Sequence, residues 1–328
     1  MGIQITPVTK GVCGSVEIAK LFSKHEIHSI GDSHLQNIQR MKEAGVEGPF
    51  MLLRSPMLNE AESVIIYADI SLNSEMVVIK SLDQFATRHG KIHDIVLMIE
   101  LGDLREGIPS THIDEYIKQI SLLNNIRLIG IGSNLICLNG IKPTIEKMEL
   151  LSSFAKKIKE KYATNLKIVS GGNSANFQWE QEVEEVGLIN HLRIGESILL
   201  GTDPISRMKI TGLMDDTFVL EAMVIESKQK PSKPSGVITF DAFGEVPSVK
   251  DEGEINRSLL AIGQQDLDIK GCNPIDRKIK ILGATSDHLV VKSVGKKLTV
   301  GEIVEFRIAY RALLHLMISP YVKKRYIS

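Results

Sequence analysis

A single lysine, Lys10, follows a short β-branched run and is itself followed by glycines. The segment 3–14 reads Ile-Gln-Ile-Thr-Pro-Val-Thr-Lys-Gly-Val-Cys-Gly, in which Gly11 and Gly14 favour a tight turn. This pattern predicts a strand that delivers one side chain to a strand-to-helix turn, where α/β barrels keep their reactive groups. A primary amine there could act as a nucleophile or a base, although most lysines are solvated surface groups.

Two further segments could bind an anion. The run Ser170-Gly171-Gly172-Asn173-Ser174 precedes a helical pattern, so its backbone N–H groups and the Ser174 hydroxyl could face a phosphate. Arg193 lies at the end of a later predicted strand and would need a partner if it points into a barrel mouth. The alternatives are a glycine turn with a helix N-cap, and an ion pair between Arg193 and a glutamate such as Glu196.

The elements that must position these groups alternate between short apolar strands and longer amphipathic segments. The pattern predicts eight strands, at Ile3–Thr9, Ile27–Gly31, Phe50–Arg54, Asp69–Leu72, Asp94–Leu101, Ile126–Gly132, Leu166–Ser170 and His191–Ile194. It predicts helices at Ser33–Met41, Asn73–His89, Thr144–Tyr162 and Ser174–Val186. This order indicates an α/β fold with a (β/α)8 TIM-type barrel, whereas an open doubly wound sheet would need a Gly-x-Gly-x-x-Gly fingerprint that is missing.

The second part of the chain has a different sequence pattern. From about Asp203, β-branched runs are separated by glycines and prolines, which predicts a C-terminal all-β domain of antiparallel strands. The predicted strands are Phe218–Glu226, Val237–Phe240, Leu259–Ile262, Ile279–Leu282, Leu289–Val294 and Ile303–Ile308. The sequence therefore predicts a barrel domain at residues 1–202 and a β domain at residues 203–328.

Composition narrows the class of protein. The formal net charge of −1 gives no electrostatic reason to expect nucleic acid or an anionic membrane as a partner, which leaves small-molecule and protein ligands. Cys13, Cys137 and Cys272 are odd in number and lack metal-ligand spacing, so neither a disulfide framework nor a metal site is predicted. We expect a cytoplasmic enzyme or binding protein, because the N-terminus has no signal peptide pattern.

A lysine on the first strand, a phosphate-binding turn after the seventh and an arginine on the eighth together suggest pyridoxal 5'-phosphate. With these residues in place, the chain resembles the alanine-racemase-like (fold type III) pyridoxal-phosphate enzymes, and most closely their ornithine racemase branch. The motifs that carry the resemblance are Val-Thr-Lys-Gly-Val-Cys-Gly, Leu-Leu-Arg-Ser-Pro-Met, Asp-Ile-Ser-Leu-Asn-Ser-Glu, Leu-Gly-Asp-Leu-Arg-Glu-Gly, Ser-Gly-Gly-Asn-Ser, Leu-Arg-Ile-Gly-Glu, Asp-Ala-Phe-Gly and Thr-Ser-Asp-His.

The resemblance implies roles for individual residues. Lys10 falls on the Schiff-base lysine, Arg193 on the arginine facing the pyridine nitrogen, and Arg105 on the arginine near the substrate carboxylate. The remaining cofactor-binding positions that it implies are Asn134, Asn173, Ser174, Gly195 and Glu196. It also implies a homodimer, in which the β domain of one subunit completes the partner's site.

The chain departs from alanine racemase in three places. Racemisation needs a second acid/base on the opposite face, yet between Tyr162 and Tyr310 there is no tyrosine to serve, so the candidates are Asp241, Asp287 and His288. Met98 stands where many relatives have a modified lysine that partners the arginine matched by Arg105. The chain also begins almost directly at the first strand, without the extra N-terminal strand and helix of about 30 residues expected from the family.

The sequence thus predicts a pyridoxal-phosphate-dependent amino-acid racemase, an isomerase acting by Cα proton abstraction on ornithine or another cationic amino acid. A distal ammonium would need a carboxylate partner, such as Asp103, Glu196 or Asp241. Two alternatives stay open: a non-catalytic pyridoxal-phosphate carrier, and a lyase or decarboxylase on the same scaffold, because the cofactor permits several bond cleavages.

Overall fold

The computed structural model describes residues 2–327 and divides the chain into two compact units, of which the first ends at Leu213 and the second begins at Met214. Residues 203–213 stay with the first unit because their backbone bonds lead back to it. The amide of Ile210 donates to the carbonyl of Gly201 at 2.8 Å, and that of Asp203 to Met208 at 2.9 Å. The boundary between a barrel domain and a β domain after residue 202 stays a prediction.

Eight strands form the sheet of the first unit: β1 (Gln4–Pro7), β2 (Ile30–Asp32), β3 (Phe50–Leu52), β4 (Ile70–Asn73), β5 (His93–Met98), β6 (Ile126–Gly132), β7 (Ile168–Ser170) and β8 (His191–Ile194). Neighbouring strands are parallel, in the order β1-β8-β7-β6-β5-β4-β3-β2. Beyond the end of β1, Val8 bridges Gly31 of β2, and the Thr9 amide donates to the Gly31 carbonyl at 2.8 Å. The sheet therefore closes into a barrel, which confirms the predicted fold class.

Helices follow the strands because their apolar residues recur at helical spacing. They are α1 (Val16–Phe22), α2 (Leu35–Glu43), α3 (Ala61–Tyr67), α4 (Met76–Arg88), α5 (Ile113–Ile120), α6 (Ile145–Tyr162), α7 (Asn176–Glu182) and α8 (Glu196–Leu200). In α4, for example, Val78, Ile79, Leu82 and Ala86 are buried. Thr144 caps α6 by accepting a hydrogen bond from the Lys147 amide at 3.4 Å. Among the described residues, none of the helices is long and apolar enough to cross a membrane.

The first unit has an apolar layer between its sheet and helices and a smaller cluster that includes Met51, Leu72, Val96, Met98 and Ile168. Met98 is fully buried. The side chain that the resemblance matches to a modified lysine is thus a thioether within an apolar cluster. Apolar packing thus fills this part of the barrel, and barrels of this kind carry their reactive groups at the carboxyl ends of the strands.

The second unit contains β9 (Val219–Pro231), β10 (Glu254–Leu260), β11 (Cys272–Pro274), β12 (Ile279–Ala284), β13 (Leu289–Ser293), β14 (Ile303–Ile308) and α9 (Tyr310–Ile318). The strands pair antiparallel in the order β11-β14-β9-β10-β13-β12. Burial alternates along β9, whose Leu220, Ala222 and Val224 pack into the core. The predicted strand at Val237–Phe240 is wrong: this apolar run pairs with no strand of the described chain, and Val237 is 94% exposed.

Candidate active site

Lys10 lies where the sequence predicted it, in the turn between β1 and α1. It opens a single helical turn, Lys10–Val12, which ends with Cys13 in the left-handed conformation (φ 51°). The preceding Thr9 anchors this turn, because its hydroxyl donates to Asp32 Oδ2 at 2.7 Å. Asp32 is fully buried and also accepts hydrogen bonds from the His34 amide at 2.8 Å and from Asn37 Nδ2 at 3.1 Å.

The surroundings of Lys10 favour its neutral amine. Burial lowers the pKa of Lys10, and the positive charges of Arg105 and Arg193 lower it further, against the opposing effects of Cys137 and Asp32. A neutral amine is the form that can act as a nucleophile or accept a proton near neutral pH. The fold thus brings groups from four other segments within electrostatic range of the Lys10 amine.

Arg193 lies at the carboxyl end of β8 and is 5% exposed. Its Nη1 donates to Ser170 Oγ, and its Nη2 donates to the Ser133 carbonyl at 2.8 Å and to Asn134 Oδ1 at 3.3 Å. Burial lowers the pKa of Arg193 to about 10, so the guanidinium stays charged near neutral pH. The predicted alternative, an ion pair with Glu196, is wrong, because Glu196 Oε1 instead binds Arg207 Nη1 at 3.0 Å.

Ser174 connects the turn after β7 to the start of α8. Its Oγ accepts hydrogen bonds from the amides of Gly195 at 3.2 Å and of Ser197 at 3.3 Å. Within the turn, Gly172 has a φ of +143°, and an added Cβ would collide with the Asn176 side chain. The turn therefore requires glycine and brings a buried hydroxyl and backbone amides together, as an anion-binding site needs.

Asn134, Asn173 and Cys137 form a cluster beside Arg193. Asn173 Nδ2 donates to Asn134 Oδ1 at 3.0 Å and to Cys137 Sγ at 3.3 Å, and Asn134 Nδ2 also donates to Cys137 Sγ at 3.0 Å. Asn134 and Asn173 were predicted to bind the cofactor, and the structure places Asn134 against the buried guanidinium and Asn173 against Asn134. Cys137 was not predicted as a site residue.

Arg105 is paired with its neighbour Glu106, through Nε to Oε2 and Nη2 to Oε1. Burial lowers the pKa of Arg105, but the Glu106 carboxylate outweighs this effect and the net change is upward. Asp103 is fully buried, and its carboxylate accepts bonds from the Leu138 amide at 3.0 Å and the Asn139 amide at 3.1 Å. Asp103 therefore holds the loop that also contains Cys137.

Three candidates for the opposite-face acid/base lie in the second unit. Asp241 Oδ1 accepts bonds from the amides of Phe243 at 2.8 Å and Glu245 at 2.9 Å, which stabilise an exposed turn. Asp287 and His288 lie in the turn between β12 and β13, with 3.7 Å between Asp287 Oδ1 and His288 Nδ1. Their catalytic roles stay predictions.

Sequence reasoning missed Cys137, Glu106 and His191. Cys137 lies five residues after the end of β6, in a loop where spacing gives no signal for a lone thiol. Glu106 follows the predicted Arg105 directly, and that adjacency could have indicated the pair. His191 begins β8, where it reads as an ordinary strand residue, and only its contacts in the folded barrel distinguish it.

The residues present fit pyridoxal phosphate. Among the described residues, no carboxylate lies within 4 Å of the buried Arg193 guanidinium, and the buried atoms Asn73 Oδ1 and Ser133 Oγ have no hydrogen-bond partner. Both atoms belong to residues at the carboxyl end of a strand. Unpaired buried polar groups are costly unless a ligand satisfies them, so this mouth is suited to a polar, anionic ring cofactor.

Comparison with known proteins gives a consistent result. The family model for the alanine racemase N-terminal domain matches residues 2–204. The ornithine racemase of Acetoanaerobium sticklandii is 40% identical over 98% of this chain and 92% of that protein, and the lysine racemase of Thermotoga maritima is 39% identical over 99% and 91%.

The fold agrees as well. The crystal structure of alanine racemase from Bartonella henselae with covalently bound pyridoxal phosphate superposes with a TM-score of 0.70 at 15% identity, over 96% of this chain and 90% of that one. These matches confirm the predicted resemblance, cofactor and class of enzyme. The chain therefore belongs to the alanine racemase family of pyridoxal-phosphate-dependent amino-acid racemases.

Proposed function

We propose that the protein interconverts the L and D forms of ornithine or another cationic amino acid. The observation that supports this substrate class is the identity of 40% and 39% to an ornithine racemase and a lysine racemase over nearly the whole chain. Both names refer to amino acids with a distal ammonium group. Neither a decarboxylase nor a cofactor carrier has comparable support among the matches reported above, and a lyase has only the shared fold of a D-threonine aldolase that is 13% identical.

Ser174, Arg193 and Arg105 each have a proposed task in the barrel mouth. When bound, pyridoxal phosphate supplies an electron sink that acidifies the substrate Cα–H bond. Ser174, with the amides of the α8 start, would bind the phosphate, and Arg193 would donate to the ring nitrogen. Because Arg193 keeps its proton near neutral pH, it would meet the ring nitrogen only as a hydrogen-bond donor. Arg105 binds the substrate carboxylate, oriented by its contact with Glu106.

Lys10 performs the proton transfer on one face of the substrate. Its lowered pKa leaves a larger fraction of the amine neutral near neutral pH, and that form accepts the α-hydrogen at Nζ. Return of a proton from the other face requires a second group, for which Asp241, Asp287 and His288 remain the candidates. We propose that a partner subunit provides this group, so the working unit is a homodimer.

The distal ammonium of the substrate needs a carboxylate. Both carboxylate oxygens of Asp103 accept hydrogen bonds from loop amides, and Glu196 is paired with Arg207. In Asp241, both turn bonds use the same oxygen, Oδ1. We therefore retain Asp241 as the proposed partner for the ammonium. We also propose a cytoplasmic location, which the free thiols of Cys13, Cys137 and Cys272 support because such thiols persist in reducing compartments.

Incubation of the purified, cofactor-loaded protein with L-ornithine in D2O tests the function. We expect D-ornithine with deuterium at Cα, detected by chiral chromatography and mass spectrometry. L-lysine and L-alanine in parallel define the substrate class. Release of CO2 or an aldehyde without the D product would replace racemisation by a lyase or decarboxylase reaction, and no turnover of any amino acid would favour the carrier.

Mixing two inactive variants tests the shared site. Lys10→Ala removes the base from one subunit, and Asp241→Asn removes a candidate for the opposite-face acid/base from its partner. If a dimer shares residues between subunits, half of the dimers in an equal, randomly exchanged mixture are hybrids with one intact site, which restores about a quarter of the wild-type activity. The same test with Asp287→Asn or His288→Asn identifies the residue, and a mixture that stays inactive in all three cases contradicts a shared site built on these candidates.

A further inference from the structure

A line of hydrogen-bonded side chains leads from Arg193 through the interior of the barrel. Arg193 Nη1 donates to Ser170 Oγ, which lies 2.8 Å from His191 Nδ1. On the other side of the ring, His191 Nε2 lies 2.8 Å from Thr6 Oγ1. All four residues are at most 5% exposed, so bulk water offers their side chains no alternative partners.

The line continues to the amino ends of the strands. Thr6 Oγ1 lies 2.7 Å from Ser29 Oγ, which in turn lies 3.2 Å from His28 Nδ1. His28 is half-buried and lines a cavity of about 430 Å³. The charged side chains that share this cavity are Lys42, Asp69, Asp94 and Lys167. Five consecutive hydrogen bonds thus connect the proposed cofactor arginine to the opposite mouth of the barrel.

The direction of every bond follows from Arg193, which can only donate. Ser170 Oγ must accept from it, so the Ser170 hydroxyl hydrogen is available for His191 Nδ1. The ring proton of His191 is then on Nε2 and is donated to Thr6, whose hydroxyl donates to Ser29, and Ser29 to His28. In the reverse direction the Ser170 hydrogen would be buried without an acceptor, which is unfavourable.

We propose that His191 is a positioning residue for Arg193, held by this chain as the neutral Nε2–H tautomer. Its Nδ1 keeps the Ser170 hydroxyl turned so that the oxygen lone pairs face the guanidinium. Burial, together with the charges of Arg193 and His28, keeps the pKa of His191 well below its usual value, which agrees with a neutral ring. The benefit to cofactor binding rests on the proposed role of Arg193, whereas the tautomer is a property of the protein alone.

His93 provides a matched control in the same barrel. It is 3% exposed, and its Nε2 lies 2.8 Å from Ser71 Oγ. Asn73 Nδ2 donates to that oxygen at 2.8 Å and to the Ser71 carbonyl at 3.1 Å. The Ser71 hydroxyl therefore donates to His93 Nε2, and the ring proton is on Nδ1. The two buried histidines are thus expected to be opposite tautomers.

Nuclear magnetic resonance of the cofactor-free protein tests the tautomers directly. Two-bond ¹H–¹⁵N correlation of ¹⁵N-histidine-labelled protein near neutral pH resolves the nine histidines, and His191→Asn and His93→Asn assign the two signals. We expect neutral Nε2–H for His191 and neutral Nδ1–H for His93. A charged ring or an Nδ1–H tautomer at His191 would overturn the proposal. Because no cofactor or substrate is present, failure of the racemase assay does not affect this result.

The positioning effect is tested by cofactor affinity, measured through quenching of the single tryptophan, Trp179. His191→Leu removes both ring nitrogens and is expected to weaken pyridoxal phosphate binding about tenfold. His191→Asn places an amide oxygen near the position of Nδ1 and should restore most of the affinity. His93→Leu should lower stability without changing affinity.

Equal affinities of His191→Leu, His93→Leu and wild type would show that His191 only fills space and would overturn the positioning role. If His191→Leu does not fold, Ser170→Ala breaks the same chain next to Arg193 and decides the question. An affinity of Ser170→Ala equal to that of the wild type would again overturn the proposal.

Discussion

Replacement of Ser174 by alanine separates a phosphate-binding site from a simple helix cap. Ser174 is buried, and its Oγ accepts hydrogen bonds from the amides of Gly195 and Ser197. Since the oxygen is the acceptor in both bonds, its hydrogen remains for donation to an anion. A capping role and a phosphate-binding role therefore predict different consequences for the same substitution.

The magnitudes follow from the kinds of hydrogen bond. The two amide bonds are long, at 3.2 and 3.3 Å, so their joint loss should lower the free energy of unfolding of the cofactor-free protein by about 1 kcal/mol. A hydrogen bond to a charged phosphate is worth about 1.5 to 3 kcal/mol, which corresponds to roughly a 10- to 100-fold weaker affinity for pyridoxal phosphate.

Urea unfolding of the cofactor-free protein and equilibrium titration with the cofactor measure the two effects. Ser197→Ala is the matched control, because Ser197 is also buried at α8 but its hydroxyl donates to the Thr202 carbonyl at 2.9 Å. It should lose about 1 kcal/mol of stability and keep its affinity. If Ser174→Ala loses stability but binds the cofactor like Ser197→Ala, Ser174 is only a cap and the phosphate site is refuted.

Three further predictions concern the charged groups of the barrel mouth. Lys10→Met should abolish racemisation yet raise the melting temperature of the cofactor-free protein near neutral pH. Because folding lowers the pKa of Lys10, the wild-type protein loses stability that is recovered as pH rises from the folded-state pKa to the ordinary pKa of lysine, and calorimetry against pH should show this slope vanish in the variant. Arg105→Gln removes a positive charge that lowers the pKa of Lys10, so the pH profile for arylation of Lys10 should move to higher pH; an unchanged profile would contradict the electrostatic account. Asp103→Ala leaves the Leu138 and Asn139 amides without their acceptor and should cost about 3 kcal/mol in urea unfolding, whereas a wild-type stability with altered substrate preference would instead assign Asp103 to the ammonium.

The barrel was predictable because each of its strands is an apolar run that precedes turn residues. The predicted β6 and β8 have the observed bounds, Ile126–Gly132 and His191–Ile194. Val237–Phe240 has the same β-branched and aromatic character but remains unpaired in the described chain, since local propensity does not specify a partner strand. Register and pairing depend on tertiary contacts, which a local pattern does not contain.

The site was predictable to the extent that strand ends converge. Lys10, Ser174 and Arg193 could be grouped because the carboxyl ends of parallel strands meet at one mouth. The thiol of Cys137 and the ring of His191 could not, because their importance lies in contacts with Asn134, Asn173 and Ser170 that only the folded chain creates. Sequence patterns thus identify the elements that deliver side chains, and the fold determines how those side chains are paired.

The attachment of the cofactor to Lys10 is the most direct test of the central claim. Borohydride treatment of the cofactor-loaded protein, followed by digestion and peptide mass spectrometry, should give one modified peptide with the reduced pyridoxyl group on Lys10, and Lys10→Ala should give none. A modified peptide elsewhere in the wild type, or an undiminished yield in Lys10→Ala, would contradict the assignment of Lys10 and the proposed site built around it.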